Sequence, residues 1–290
     1  GAIGNWLRQR RQLSVMRRSI PVVLTAVVVA LVGVTSVQLS GIQARDVSVD
    51  TGNTDVVFVV PTSVPASATT LPNTPVTSTT VAKLPRSVVI VGDSQAHSLA
   101  VNKPSGIEKT FVITNGSIDG CGVYDRGVGI GGTTGKFRRN FANCKGFETK
   151  WAKSAVQAKA DVALVVIGAW EVMDLQINSF LFKVNTVPAD TIFKTQLQRG
   201  IDALRKQNVA VALLEVACMR PVESKGGPVP PLPQRGDDTR TGHLNALMRE
   251  VAAPENDGVY FVNGPKEWCA DPKVANSLSY RWDGVHVYKP

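Results

Sequence analysis

The chain has 290 residues, 43% of them hydrophobic, enough for one or two globular domains and too many for a disulfide-framed miniprotein or a wholly disordered tail. Formal charge is 32 − 23 = +9, which would point to nucleic acid only if the basic residues gathered on a folded surface with interleaved aromatics. They do not: Arg8, Arg10, Arg11, Arg17 and Arg18 carry five of the nine with no acid among them, leaving 9 − 5 = +4 for everything after residue 18.

No charge occurs between Arg18 and Arg45, and residues 20–39 read IPVVLTAVVVALVGVTSVQL. At about 1.5 Å per residue such a run crosses about 30 Å of hydrocarbon. It predicts a transmembrane helix over 19–40, with the arginines of 1–18 in the cytoplasm and the rest of the chain extracytoplasmic. A buried core helix would be broken by polar residues. A cleaved signal peptide would have a shorter apolar run and a better small-residue site than Val34-Thr35-Ser36. The expectation is therefore a retained anchor in a cell membrane. Because the first residue is Gly, the further expectation is that this helix is the last of a longer membrane region.

Residues 41–85 change character. Between 61 and 82 stand Pro61, Pro65, Pro72 and Pro75 among ten Ser or Thr, with no charge and no aromatic. A stretch of this kind buries no core and predicts an extended, disordered stalk.

From residue 86 onward β-branched runs alternate with helical patterns. Buried strands are predicted at 87–92 (SVVIVG), 110–114 (TFVIT), 162–167 (VALVVI), 209–215 (VAVALLE) and 259–262 (VYFV), and helices at 147–160, 190–208 and 239–253. Near-continuous apolar strands separated by helices predict an α/β fold: a three-layer αβα, doubly wound parallel sheet of five strands over 86–290. Ligand sites in such sheets lie beyond the carboxyl ends of the strands.

Two motifs stand where chemistry is expected. Gly92-Asp93-Ser94 follows the first strand, so the Ser94 backbone N–H falls at a helix N-terminus, a place that favours negative charge. Near the other end is Asp283-Gly284-Val285-His286; a carboxylate three residues before a histidine can reach its Nδ1–H in one turn and leave Nε2 free to take a proton. Of the other two histidines, His97 reads as a structural or rim residue and His243 as a surface residue. No CxxC pair and only three histidines disfavour a zinc site, and a serine at a strand-to-helix turn favours nucleophilic catalysis, with no metal and no cofactor.

Strand-GDS, a glycine-containing turn after the second strand (Asn115-Gly116-Ser117-Ile118-Asp119-Gly120) and DxxH together resemble the SGNH, or GDSL-type, hydrolase superfamily over 87–290. The resemblance implies a flavodoxin-like sheet, Ser94 as nucleophile, His286 as base and Asp283 as its partner. It also implies an oxyanion hole built from the N–H groups of Ser94 and Gly120, with Gly116 as the second choice. The third family block, usually Gly-x-Asn-Asp, departs here to Gly168-Ala169-Trp170-Glu171. Trp170 stands where an oxyanion-donating Asn is usual; Trp170 and Asp93 are expected to line the site, with a surface carboxylate as the plainer reading of Glu171. A final membrane helix, a stalk and such a domain are also similar to the C-terminal part of bacterial membrane acyltransferases of the acyltransferase-three type. That likeness implies an acyl donor delivered from a membrane acyltransferase domain and a cell-envelope glycan or glycolipid as acceptor.

Cys121, Cys144, Cys218 and Cys269 lie in the part placed outside the membrane, where disulfides persist. Four cysteines allow three pairings; Cys121–Cys144 and Cys218–Cys269 are the favoured ones. Three functions follow: acyl transfer through an acyl-serine, ester hydrolysis by the same triad, and a non-catalytic envelope-binding module in which Trp151, Trp268 and Tyr280 stack on sugars.

Overall fold

The computed structural model describes residues 46–47, 85–223, 229–253 and 256–287. The expected membrane helix over 19–40, its basic flank and almost all of the stalk lie outside the described residues. Among the described residues no helix is long and apolar enough to cross a membrane.

In chain order the elements are β1 (Asp46–Val47), β2 (Arg86–Gly92), α1 (Ser94–Val101), β3 (Phe111–Asn115), β4 (Val128–Gly131), β5 (Phe137–Asn140), α2 (Phe147–Ala158), β6 (Val162–Val166), β7 (Asp174–Ile177), β8 (Phe180–Phe182), α3 (Val187–Arg205), β9 (Ala210–Leu214), α4 (Asp238–Val251), β10 (Val259–Val262), α5 (Glu267–Ala270) and α6 (Pro272–Ala275). The five expected strands form one parallel sheet in the order β10-β9-β6-β2-β3, and β1 adds to its edge beside β10. Asp46 and Val47 thus form a strand inside the segment read as stalk; backbone pairing with an open sheet edge needs no apolar run to announce it.

Alternation along the strands makes the layers. In β2, Val89 and Val91 face the main core with Trp151, Leu197, Ile201 and Met248 of α2, α3 and α4, whereas Val88 and Ile90 face a smaller cluster with Ala96 and Ala100 of α1. The architecture is three-layered, and among the described residues α1 is the one long helix on its face.

A second sheet stands beside the expected one. β5-β4-β7-β8 form a four-stranded antiparallel sheet from segments inserted after β3 and β6. Strands of three or four residues such as VGIG and FRRN carry too short an alternation to be separated from loop by pattern.

The topology also locates a crevice. The connection leaving β2 runs through α1 to β3 on one side, while that leaving β6 runs through α3 to β9 on the other, with the helices on opposite faces. Strand order therefore reverses between the adjacent strands β2 and β6, and their carboxyl ends open a cleft. The GDS turn and the Gly168–Glu171 loop both emerge there.

Candidate active site

The turn that carries Ser94 is built from three residues. Gly92 ends β2 at φ +135, and a Cβ on it would lie 1.8 Å from the Val166 carbonyl oxygen, so only glycine lets β2 and β6 meet at this point. Asp93 is the N-cap of α1: its carboxylate accepts from the Gln95 N–H at 2.7 Å. Ser94 is then the first helical residue, and its N–H has no acceptor among the described residues.

His286 lies 192 residues beyond Ser94, and the DxxH segment that carries it is clamped from two sides. Arg220 and Val222 donate their N–H groups to the Gly284 and Asp283 carbonyls at 2.8 and 3.0 Å. From α1, Ser98 Oγ and Asn102 Nδ2 donate to the Val287 carbonyl at 2.6 and 3.3 Å. Gly284 sits at φ +76 with no room for a Cβ, which would meet the Arg220 carbonyl at 1.6 Å. Of the expected disulfides both form: Cys218–Cys269 ties the chain after β9 to α5, and Cys121–Cys144 closes the loop after β3. Arg281 donates to the Cys218, Trp268 and Ala275 carbonyls and gathers these segments beside the DxxH segment.

These constraints bring the three predicted residues into one relay. His286 Nε2 lies 2.8 Å from Ser94 Oγ, and His286 Nδ1 lies 2.6 Å from Asp283 Oδ2. The other carboxylate oxygen of Asp283 accepts from the Val285 and His286 N–H groups at 2.9 and 2.8 Å. Burial alone would raise the Asp283 pKa, but the His286 side chain and these backbone donors outweigh it and hold the carboxyl below its ordinary value. Asp283 is therefore an ionised acceptor, which sets the tautomer with Nδ1 protonated and Nε2 facing the hydroxyl. Trp282 stacks on the His286 ring at 5.7 Å.

The loop after β3 docks beside Ser94. Ile118 N–H donates to the Gly92 carbonyl at 2.8 Å, and His97 Nδ1 lies 2.9 Å from Asp119, so the rim role expected of His97 is that of a tie between α1 and this loop. Gly116 is removed as a donor: its N–H is consumed by the Ile90 carbonyl at 2.8 Å, inside the sheet. The Gly120 N–H has no acceptor among the described residues, and Arg139 holds its carbonyl at 3.1 Å.

Several expectations change. Asp93 does not line the cleft; it is fully buried beneath the turn because capping α1 draws its carboxylate inward. Trp170 is also buried, 3% exposed, with Phe137 at 6.5 Å and Phe141 at 6.2 Å, and its indole N–H is sealed without a partner. It therefore does not present a donor where the usual Asn would. Glu171 is no surface carboxylate: it is buried and accepts from Val123 and Gly168 N–H groups at 2.8 Å each. Trp151 is fully buried against Phe147 on the inner face of α2, so it offers no sugar platform. His243 is half-buried, 2.8 Å from Asp190 of α3.

Sequence reading missed Arg235. It is 4% exposed; its Nε donates to the Ala169 carbonyl at 2.9 Å and its guanidinium lies 4.4 Å from the Trp170 ring centroid. Desolvation pushes the Asp93 pKa up to about 6 and that of Glu171 up to about 7, with Arg235 opposing the shift of Asp93. Nothing in the surrounding PLPQRG announces a buried cation.

No family model and no curated protein matches this chain. Among solved structures it is similar to a putative acylhydrolase from Bacteroides fragilis NCTC 9343, at 12% identity and TM-score 0.45 over 71% of this chain and 81% of that one. It is also similar to a GDSL-like lipase from Bacteroides thetaiotaomicron VPI-5482, at 14% identity and TM-score 0.42 over 70% and 80%. A third is an acetyl xylan esterase, AlAXEase, at 16% identity and TM-score 0.41 over 70% and 92%.

Beside the relay, on the α1 face of the sheet, lies a cavity of about 340 Å³ lined by Gln95, Leu99, Val166, Trp268, Tyr280 and Val285 among others. Its lining residues adjoin Ser94 and His286 in sequence, and the three relay residues themselves are not among them. Two of the three aromatics singled out in the sequence, Trp268 and Tyr280, therefore meet here, half-buried and exposed respectively. Among the described residues no His, Cys, Asp and Glu cluster could hold a metal ion.

Proposed function

We propose that the protein is a serine-dependent enzyme of the SGNH type that takes acyl groups from oxygen esters onto Ser94 and passes them to a hydroxyl acceptor, water in the simplest case. The observation that carries this is the unbroken relay of 2.8 Å from Ser94 Oγ to His286 Nε2 and 2.6 Å from Nδ1 to Asp283. Ser94 Oγ attacks the ester carbonyl and gives its proton to Nε2, Asp283 stabilises the imidazolium, and the leaving alkoxide takes that proton back. The acceptor then reverses these steps to free Ser94. The unengaged N–H groups of Ser94 and Gly120 are the donors for the developing oxyanion.

A second reading gives the acceptor a specific identity, a cell-envelope glycan or glycolipid at the outer surface of the membrane, with the acyl group supplied by a membrane acyltransferase domain. It is favoured by the uncharged apolar run at 20–39 followed by the Pro/Ser/Thr stretch, which would hold this domain near a bilayer. The binding-module reading loses one of its three stacking residues with the burial of Trp151.

The test is incubation of the purified protein with a short-chain aryl ester, with mass spectrometry of the tryptic peptide that carries Ser94. An acyl adduct and steady release of phenol are expected, both abolished in Ser94→Ala. Equal turnover by Ser94→Ala would overturn the proposal. Diversion of the acyl group to added oligosaccharide at the expense of hydrolysis separates transfer from hydrolysis.

A further inference from the structure

The third-block loop has lost its usual Asn, and the residue in its place cannot do the same work. Trp170 carries a single donor, and that donor is sealed in the core. The same loop instead holds a cation. Arg235 donates from Nε to the Ala169 carbonyl and lies against the Trp170 indole, two contacts that fix the guanidinium beside the position where the Asn would stand. Its own loop is pinned on both sides: Gln234 exchanges two hydrogen bonds with Gly132 in the turn between β4 and β5, at 2.9 and 3.2 Å, and Asp237 caps α4.

The two terminal nitrogens of Arg235 make no hydrogen bond to the described chain, yet neither is sealed from solvent, unlike the Trp170 nitrogen. A guanidinium that is 96% buried by residue and still offers unpaired donors to accessible space is built to receive something negative. Burial pulls the Arg235 pKa below its ordinary value, while the charges of Asp93, Asp283 and Glu171 favour the cation.

We propose that Arg235 supplies the oxyanion stabilisation that the Trp170 replacement removes, its terminal nitrogens donating to the carbonyl oxygen as Ser94 attacks. This rests on the acyl-serine reading above. As the Ser94 Oγ–carbon bond forms and the hydroxyl proton passes to His286, the carbonyl π pair moves onto oxygen, and that charge meets a fixed, partly desolvated cation. Collapse returns the pair to the carbonyl and expels the alkoxide, which leaves with the proton from His286. Trp170 is then a positioning residue: a flat support for the guanidinium rather than a donor.

The experiment measures acylation of Ser94 by an aryl acetate, and affinity for an aryl boronic acid, which forms a tetrahedral anionic adduct on serine, in the parent protein, Arg235→Lys and Arg235→Met. Thermal unfolding and near-ultraviolet circular dichroism monitor the fold. For Arg235→Met the expected result is a fall in the acylation rate of about 10²–10³-fold, a parallel fall in boronate affinity, and KM within a few-fold of the parent. Arg235→Lys, which keeps the charge but not the fork, is expected between the two. A folded Arg235→Met that acylates within threefold of the parent overturns the inference. So does a loss of rate in Arg235→Lys with boronate affinity unchanged, which is what a merely structural cation would give. A parent protein that never acylates Ser94 overturns the acyl-serine reading itself, a result distinct from both.

Discussion

Asp93 and Glu171 make stability depend on pH in a direction opposite to the usual carboxylate. Both are buried, and desolvation holds their protons up to about pH 6 and about pH 7 against ordinary values of 3.8 and 4.5. Between about pH 4 and pH 7 the folded chain therefore keeps protons that the unfolded chain has released, so unfolding free energy falls as pH rises. Each carboxyl taken alone corresponds to on the order of 3 kcal/mol once ionised. Between pH 5 and pH 8 the folded chain holds the Asp93 proton over about one pH unit and that of Glu171 over about two, so the expected loss is on the order of 4 kcal/mol. Asp283 acts in the other sense, adding stability that is lost only as pH falls through its depressed pKa, below this window. Urea unfolding at pH 5, 6, 7 and 8 and constant ionic strength reads the effect directly. Asp93→Asn, which can still cap α1, and Glu171→Gln should each flatten the profile. Glu171→Gln should also lower stability at pH 5, because Val123 and Gly168 donate to different carboxyl oxygens and the amide NH2 that replaces one of them cannot accept. Stability that is level or rising from pH 5 to pH 8 refutes the argument, as does an undiminished slope in both variants.

Two further outcomes are expected. Asp283→Asn keeps an acceptor for the Val285 and His286 N–H groups but turns an amide donor toward His286 Nδ1, favouring the wrong tautomer, so kcat should fall by about 10⁴-fold with the fold retained; a loss under tenfold would remove Asp283 from the relay. The disulfides span separations of 23 and 51 residues, which in the chain-entropy account are worth about 3 and about 4 kcal/mol. Reduction should accordingly lower the urea midpoint sharply, and loss of Cys218–Cys269, which braces the DxxH approach, should lower kcat as well. An unchanged midpoint with four free thiols titrated would refute this.

Much of the molecule is legible in the residues. The five sheet strands and three long helices carry their own periodicity, and their alternation is enough for a parallel sheet. Ser94, Asp283 and His286 are legible because each sits in a local motif whose geometry is set within a turn. The cysteines are few enough for two favoured pairings, both of which form. Gly120 and Gly116, by contrast, are alike as glycines after β3, and only the register of β2 with β3 shows that the Gly116 N–H is spent inside the sheet.

What tertiary structure decides is which polar and aromatic groups are withdrawn from water. Trp151 reads as exposed until α3 is laid against it, where Gly200 leaves a gap that its ring fills. Asp93 and Glu171 read as a site-lining residue and a surface acid until the carboxyl ends of β2 and β6 bring them together with Arg235, a residue from 64 positions further along the chain than Glu171. Trp170 reads as a donor until the fold buries its indole nitrogen, with Phe137 of the antiparallel sheet, itself too short-stranded to be seen in the pattern, stacked on the ring. A local sequence specifies which face of an element is apolar, because that depends on periods of 2 and 3.6 residues. Desolvation of a charge depends on every segment packed around it, so the chemistry of the cleft beyond its three motif residues is set only when the chain is folded.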